Sequence, residues 1–178
     1  MNDFIHSQGL IFLPHILRRL ANRFIDACDE LFPAFDIVVP PRMVSLVHLL
    51  HDGGPRSVTD IAAAIGQSHP FVIKSIRQLK ELALVDTMAD PKDKRRTIVS
   101  LTPEGTVQAQ RLIDARLPFV AAYRELMRET DAEVFDALWR LEGALRKTTF
   151  ADRIVAARKR QADTASTGAN ESNESGQA

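Results

Sequence analysis

Along most of the chain, apolar residues recur at intervals of three and four, the repeat of a helix with one buried face. From Leu13 to Phe32 they fall at Leu13, Ile16, Leu17, Leu20, Phe24, Ala27 and Leu31. Pro14 suits a first helical turn, where its missing N–H costs little. A helix from Pro14 to Phe32 would be about 28 Å long, and Pro33 ends it. Pro40 and Pro41 open a second stretch, with Met43, Leu46, Val47, Leu49 and Leu50, closed by Gly53-Gly54-Pro55.

Two shorter helices follow. Ser57 is placed to cap the first, with Asp60 reaching back; Val58, Ile61, Ala62 and Ile65 form its apolar face, and Gly66 stops it. Ser68 caps the second, Pro70 lies in its first turn, and Val72, Ile76, Leu79 and Leu82 form its stripe. That leaves His69, Phe71, Ile73, Lys74, Arg77 and Gln78 pointing elsewhere. The period then changes. Leu84 to Met88 alternates weakly, Asp90 to Arg96 is a polar turn, and Thr97 to Leu101 is rich in β-branched residues, which together predict a β-hairpin. Thr102 caps a further helix with Pro103 at its first position, running past Val107 and Leu112 to a kink at Pro118. A new start is expected at Thr130 or Asp131, and a final helix carries Val134, Phe135, Leu138, Leu141 and Leu145. Gln161 to Ala178 holds no aliphatic residue larger than alanine and no aromatic, so a disordered tail is expected over 161–178.

The expected fold is mainly α with a small β-hairpin: a helix-turn-helix followed by a wing, flanked by long helices. Composition narrows the function. The 178 residues include 23 basic and 23 acidic side chains, a formal net charge of zero. This excludes a histone-like polycation but not a local basic face balanced elsewhere. One cysteine excludes an internal disulfide framework and a cysteine-built zinc site. No apolar run approaches a bilayer span and no signal peptide is apparent, so a cytoplasmic protein is expected.

Charge placement points to DNA. Between Gln67 and Lys80 the charged residues are Lys74, Arg77 and Lys80, with no acid among them. The hairpin tip adds Lys92, Lys94, Arg95 and Arg96 against Asp93. A major groove admits one α-helix, and base edges are met near its start. There, Ser68, His69 and Lys74 offer polar contact, while Phe71 and Ile73 suit a thymine methyl. Arginines on a narrow protrusion suit an electronegative minor groove.

The stretch Ser57 to Gly105 resembles the winged helix of the MarR family of bacterial transcription regulators. DPKDKRRTIVSLTPEG is similar to that family's wing signature, with Asp90, Asp93, Arg95, Val99, Leu101, Thr102 and Gly105 in register. The likeness covers about Leu13 to Arg160. It implies a winged helix at about 41–102 and dimerisation helices at about 13–33 and 103–160. It further implies a ligand-responsive repressor acting as a homodimer on a pseudo-palindromic operator in double-stranded DNA. Arg95 would enter the minor groove, held by a charged hydrogen bond that it donates to Asp93. An effector pocket for a small lipophilic or aromatic anion would be faced by His15, Arg18, Arg19 and His48. Two features depart from the family: Phe71 and Ile73 stand where small hydroxylated residues are common, and Lys94 replaces a common arginine.

Other chemistry is weaker. Cys28 is a lone thiol with no cation beside it in sequence, and reads as a small, partly buried residue. His48 and His51 share a helix face and a third ligand such as His6 or His15 could complete a metal site, but none is near in sequence, so no metal site and no cofactor are expected. The glycines are scattered and no nucleophile–base pair stands out, so an enzyme is not expected. The alternative reading is a winged-helix protein–protein module, its basic surface meeting an acidic partner.

Overall fold

The computed structural model describes residues 3–174, with side chains as far as Thr164. The described chain runs α1 (Phe4–Ser7), a 3-10 turn (Gly9–Phe12), α2 (Leu13–Leu31), 3-10 turns at Phe32–Phe35 and Pro41–Met43, and α3 (Val44–Gly53). Then come β1 (Arg56–Ser57), α4 (Val58–Ile65), α5 (His69–Glu81), β2 (Val85–Ala89), β3 (Thr97–Leu101), α6 (Pro103–Asp114), α7 (Arg116–Glu129), α8 (Val134–Lys147) and α9 (Phe150–Glu174). Among the described residues, no helix is long and apolar enough to cross a membrane.

Two compact units are present, the first ending at Val120 and the second beginning at Ala121. The first holds the buried core: Leu46, Val47 and Leu50 of α3, Ile61 of α4, Val72, Ile76 and Leu79 of α5, Leu84, Val85, Val99, and Ala109 and Leu112 of α6. The caps are those the sequence places. The Ser57, Ser68 and Thr102 hydroxyls accept the backbone N–H groups of Asp60, Phe71 and Gly105. Gly66 ends α4 in the left-handed region (φ 64°), which lacks a steric penalty only for glycine. The expected hairpin forms, and β3 also pairs with β1 (Arg56↔Val99, Ser57↔Ile98), giving an antiparallel sheet of order β1-β3-β2. Two residues have too little pattern to reveal a strand, so β1 escapes sequence reading.

Several expectations are corrected. Leu82 lies past the end of α5 and is exposed; the chain turns at Ala83 (φ 56°), and Leu84 takes the buried place. The helix break lies at Ala115, before Pro118. A proline ring clashes with the carbonyl four residues earlier, which belongs to Asp114. Neither Thr130 nor Asp131 starts α8. The Thr130 hydroxyl donates back to the Leu126 and Met127 carbonyls, and Asp131 sits at positive φ. α8 is followed by α9, whose backbone is helical to Glu174, where the disordered tail was expected from Gln161. The segment continues a helix already begun and holds no proline. Residues 175–178 lie outside the described residues.

The flanking helices leave much apolar surface uncovered within each unit. In the first unit Leu10 is 87% and Leu117 73% exposed, and Leu20 and Leu31 of α2 are also exposed. In the second, Phe135, Leu138, Trp139, Leu141, Phe150, Ile154 and Val155 are exposed. Phe135 and Trp139 meet edge to face, with ring centroids 6.2 Å apart.

Candidate nucleic-acid interface

α5 is built to present one face. Val72, Ser75, Ile76 and Leu79 are buried at helical spacing. The Ser75 hydroxyl is satisfied within the helix by donating to the Phe71 carbonyl at 2.9 Å. The opposite face carries His69, Lys74, Arg77 and Gln78, all exposed, with Ile73 half exposed. Phe71 does not belong there: it is partly buried and packs against the core, because one turn of helix brings it beside the Ser75 side of α5. Lys80 is tied to the sheet, donating to the Thr87 hydroxyl at 2.9 Å.

The wing loop from Asp90 to Arg96 is closed by its own backbone. The Asp90 N–H donates to the Arg96 carbonyl at 2.9 Å, and the Arg96 N–H to the Asp93 carbonyl at 2.8 Å. Lys94, Arg95 and Arg96 are exposed. The expected Asp93–Arg95 contact takes another form. The Asp93 carboxylate accepts the backbone N–H of Arg95 at 3.0 Å, a local turn of the kind aspartate favours. It therefore shapes the loop. The bound guanidinium is that of Arg96, which donates to the Asp60 carboxylate at 2.9 Å and the Ser57 hydroxyl at 2.8 Å. Hydrogen bonding from Ser57, and next the nearby Arg96 charge, hold the Asp60 carboxyl below its ordinary range.

The wing and α5 share one face. An open groove of about 420 Å³ is lined by Ser57, Val58 and Thr59 at the start of α4, His69, Ile73 and Ile76 of α5, and Arg95, Arg96 and Thr97 of the wing. Ser68 and Lys74 flank its α5 residues in sequence. Thr59, which also lines this groove, is not marked by any local signal in the sequence.

A second groove, about 350 Å³, runs along α2. His15, Arg18 and Arg19 line it with Asn22, Arg23, Asp26 and Ile5. His48 is not in its wall; it lies on α3, one helical turn from Asp52. The N-terminal segment folds back here: Arg19 pairs with the Asp3 carboxylate at 2.7 Å, which lowers the Asp3 pKa, and Phe4 packs edge to face on Phe12. Cys28 is partly buried, and burial, with Asp29 nearby, pushes its thiol pKa up, away from the thiolate. His51 faces Asp52 at 2.9 Å. Among the described residues no three His, Cys, Asp or Glu side chains converge as metal ligands.

Comparison with known proteins agrees with this geometry. Residues 41–105 match the winged helix DNA-binding domain family. The HTH-type transcriptional repressor NicR of Pseudomonas putida is 28% identical over 117 residues, 63% of this chain and 67% of that protein. The HTH-type transcriptional repressor IacR of Pseudomonas putida is 28% identical over 96 residues, 54% of this chain and 56% of that protein, so the match spans little more than half of IacR. Among solved structures, the Staphylococcus aureus MepR–DNA complex aligns over 75% of this chain and 92% of its own, with TM-score 0.53 and 20% identity. A MepR-like protein complexed with pseudoligands aligns over 76% and 92%, with TM-score 0.58 and 19% identity. At such identities the structural likeness speaks for the fold, and the winged-helix family match and the two repressors speak for DNA. Residues 41–105 are thus a winged helix DNA-binding domain, in a chain similar to HTH-type transcriptional repressors.

Proposed function

We propose that this regulator is a homodimeric, ligand-responsive repressor that reads a pseudo-palindromic operator. In this reading Ser68, His69, Ile73, Lys74 and Arg77 of α5 meet the major groove, and Lys94 and Arg95 of the wing meet the adjoining minor groove. The observation that carries it is the shared groove: His69 and Ile73 of α5 and Arg95 of the wing line one cavity, so both prongs address one duplex. Phosphate contacts set affinity and base contacts set sequence.

The test is fluorescence anisotropy on duplexes selected from random DNA. Arg95→Ala is expected to weaken binding and to lower the salt slope by about one per subunit. Ile73→Ala is expected to relax the preference for thymine at one base pair. A purified protein with no salt-sensitive affinity for any duplex would end this reading.

The uncovered apolar faces of the flanking helices support the dimeric reading. Exposed patches of this kind mark interaction sites, and a two-fold partner covers a patch with its own copy. Sedimentation equilibrium is expected to give a dimer, and Leu117→Asp to shift it towards monomer. For the effector, the α2 groove has the size of a small-molecule site, and its wall includes Arg18, Arg19 and Arg23; with Arg19 paired to Asp3, Arg18 is the cation suited to hold a small aromatic carboxylate. Such a ligand would favour dimers whose recognition helices are wrongly spaced, releasing DNA by population shift. Benzoate is expected to raise the melting temperature of the wild type and not of Arg18→Ala/Arg19→Ala.

A further inference from the structure

We propose that Arg96 is a positioning residue: it latches the wing to the start of α4 and so sets where its neighbour Arg95 meets DNA. This rests on the DNA-binding reading above but adds a role for a cation that the sequence places among the DNA contacts.

The argument begins with what holds the wing tip. β1 supports the wing only as far as Ile98, whose partner is Ser57, and the β2–β3 ladder ends one pair further on, at Ala89 and Thr97. Beyond that ladder the tip is the loop from Asp90 to Arg96. Its internal bonds, including Lys92 N–H to the Asp90 carboxylate at 2.8 Å and Arg95 N–H to Asp93, fix its shape but not its tilt. Among the described residues, the hydrogen bonds from this loop to the helix-turn-helix both come from the Arg96 guanidinium, to Ser57 and Asp60.

The receiving end is itself rigid. Ser57 is 2% exposed. Its hydroxyl donates to the Asp60 carboxylate at 2.7 Å and accepts the Asp60 N–H at 3.2 Å, so the cap of α4 and the anchor of the wing are one cluster. Arg96 is held at its backbone too, since its N–H and carbonyl both close the loop. Main chain and side chain together leave Arg96 little freedom, and Arg95 is one peptide away. The Arg96 and Asp60 side chains are 44% and 52% exposed, so solvent screens the pair. Its consequence is therefore sought in geometry rather than in global stability.

A latch and a phosphate contact predict opposite results at Asp60. If Arg96 held a phosphate, removing the nearby carboxylate would free the guanidinium and tighten DNA binding. If Arg96 is a latch, removing either partner releases the wing and weakens binding. The experiment is a double-mutant cycle of Arg96→Ala and Asp60→Asn on full-length protein, with Arg95→Ala as reference. Each single variant is expected to weaken binding about tenfold, within the range of couplings in contacting pairs. The double variant should bind no more weakly than either single one, and the charge-swapped Arg96→Asp/Asp60→Arg should recover part of the loss. The salt slope should fall in Arg95→Ala and hold in Arg96→Ala, because the slope counts phosphates neutralised.

A DNA-free readout separates this proposal from the DNA-binding reading. Amide hydrogen exchange of the hydrogen-bonded loop amides of Lys92, Arg95 and Arg96 is expected to speed up in Arg96→Ala and Asp60→Asn and to stay unchanged in Arg95→Ala. Unchanged exchange in all three variants would overturn the latch even if the protein binds DNA. A reduced salt slope in Arg96→Ala, or tighter binding in Asp60→Asn, would also overturn it. Faster exchange in a protein without DNA affinity would keep the latch and remove the function assigned to the wing.

Discussion

Raising salt from 50 to 200 mM is expected to weaken operator binding by about 10³- to 10⁵-fold. Each phosphate neutralised releases condensed counterions, and log affinity falls with log salt at about −0.9 per contact. Lys74, Arg77, Lys94 and Arg95 are exposed in each subunit, so a dimer brings them twice, within the range of contact numbers that gives such losses. The protein carries no net charge to drive this from a distance; the steepness has to come from those cations meeting the backbone directly. Anisotropy titrations at four or five salt concentrations measure the slope. A slope near zero would mean that the exposed cations of α5 and the wing do not touch phosphate. Arg96 is left out of this set because its guanidinium is engaged with Ser57 and Asp60.

The second large effect is expected from Gly105→Ala. Gly105 is buried in the first turn of α6, and a Cβ there would overlap the Leu84 carbonyl oxygen and crowd the Leu84 carbonyl carbon. That carbonyl accepts the Thr102 N–H at 3.1 Å, and the Thr102 hydroxyl donates to the Ala83 carbonyl at 2.7 Å. Two stretches of main chain therefore meet with no side chain able to rotate away. Relief requires α6 and the start of β2 to separate, at a cost of about 1–3 kcal/mol or more. Urea unfolding is expected to show a lower midpoint with an unchanged slope. A variant as stable as the wild type would mean that this junction is loose.

Much of the winged helix is legible in the residues because its signals are local. A Ser or Thr hydroxyl caps a helix by reaching an N–H three residues on, which is how Ser57, Ser68 and Thr102 act. Helical period marks Val72, Ile76 and Leu79 as one face, and β-branching marks Thr97 to Leu101 as a strand. Where the reading departs from the structure, the deciding partner is remote. β1 exists because Val99 lies opposite Arg56. The buried Gln108 was not singled out: its carbonyl accepts the Val38 N–H at 2.9 Å and its amide donates to the Asp36 carbonyl at 3.3 Å, 70 and 72 residues away. Phe71 looks exposed by helical spacing alone, yet it packs on the core.

The same division runs through the candidate site. Sequence by itself determined where α4, α5 and α6 start, that Val72, Ile76 and Leu79 form the buried face of α5, and that cations gather on α5 and at the wing, because each depends on neighbours within about one turn of helix or one hairpin. Tertiary structure decided which of those cations present themselves to a ligand. Lys80 is drawn to Thr87, Arg96 to Ser57 and Asp60, and Arg19 to Asp3, while Arg95 lines the open groove with His69 and Ile73. A basic residue's role depends on whether a carboxylate or hydroxyl lies within about 3 Å, and the fold sets that distance across 7 to 39 residues of chain.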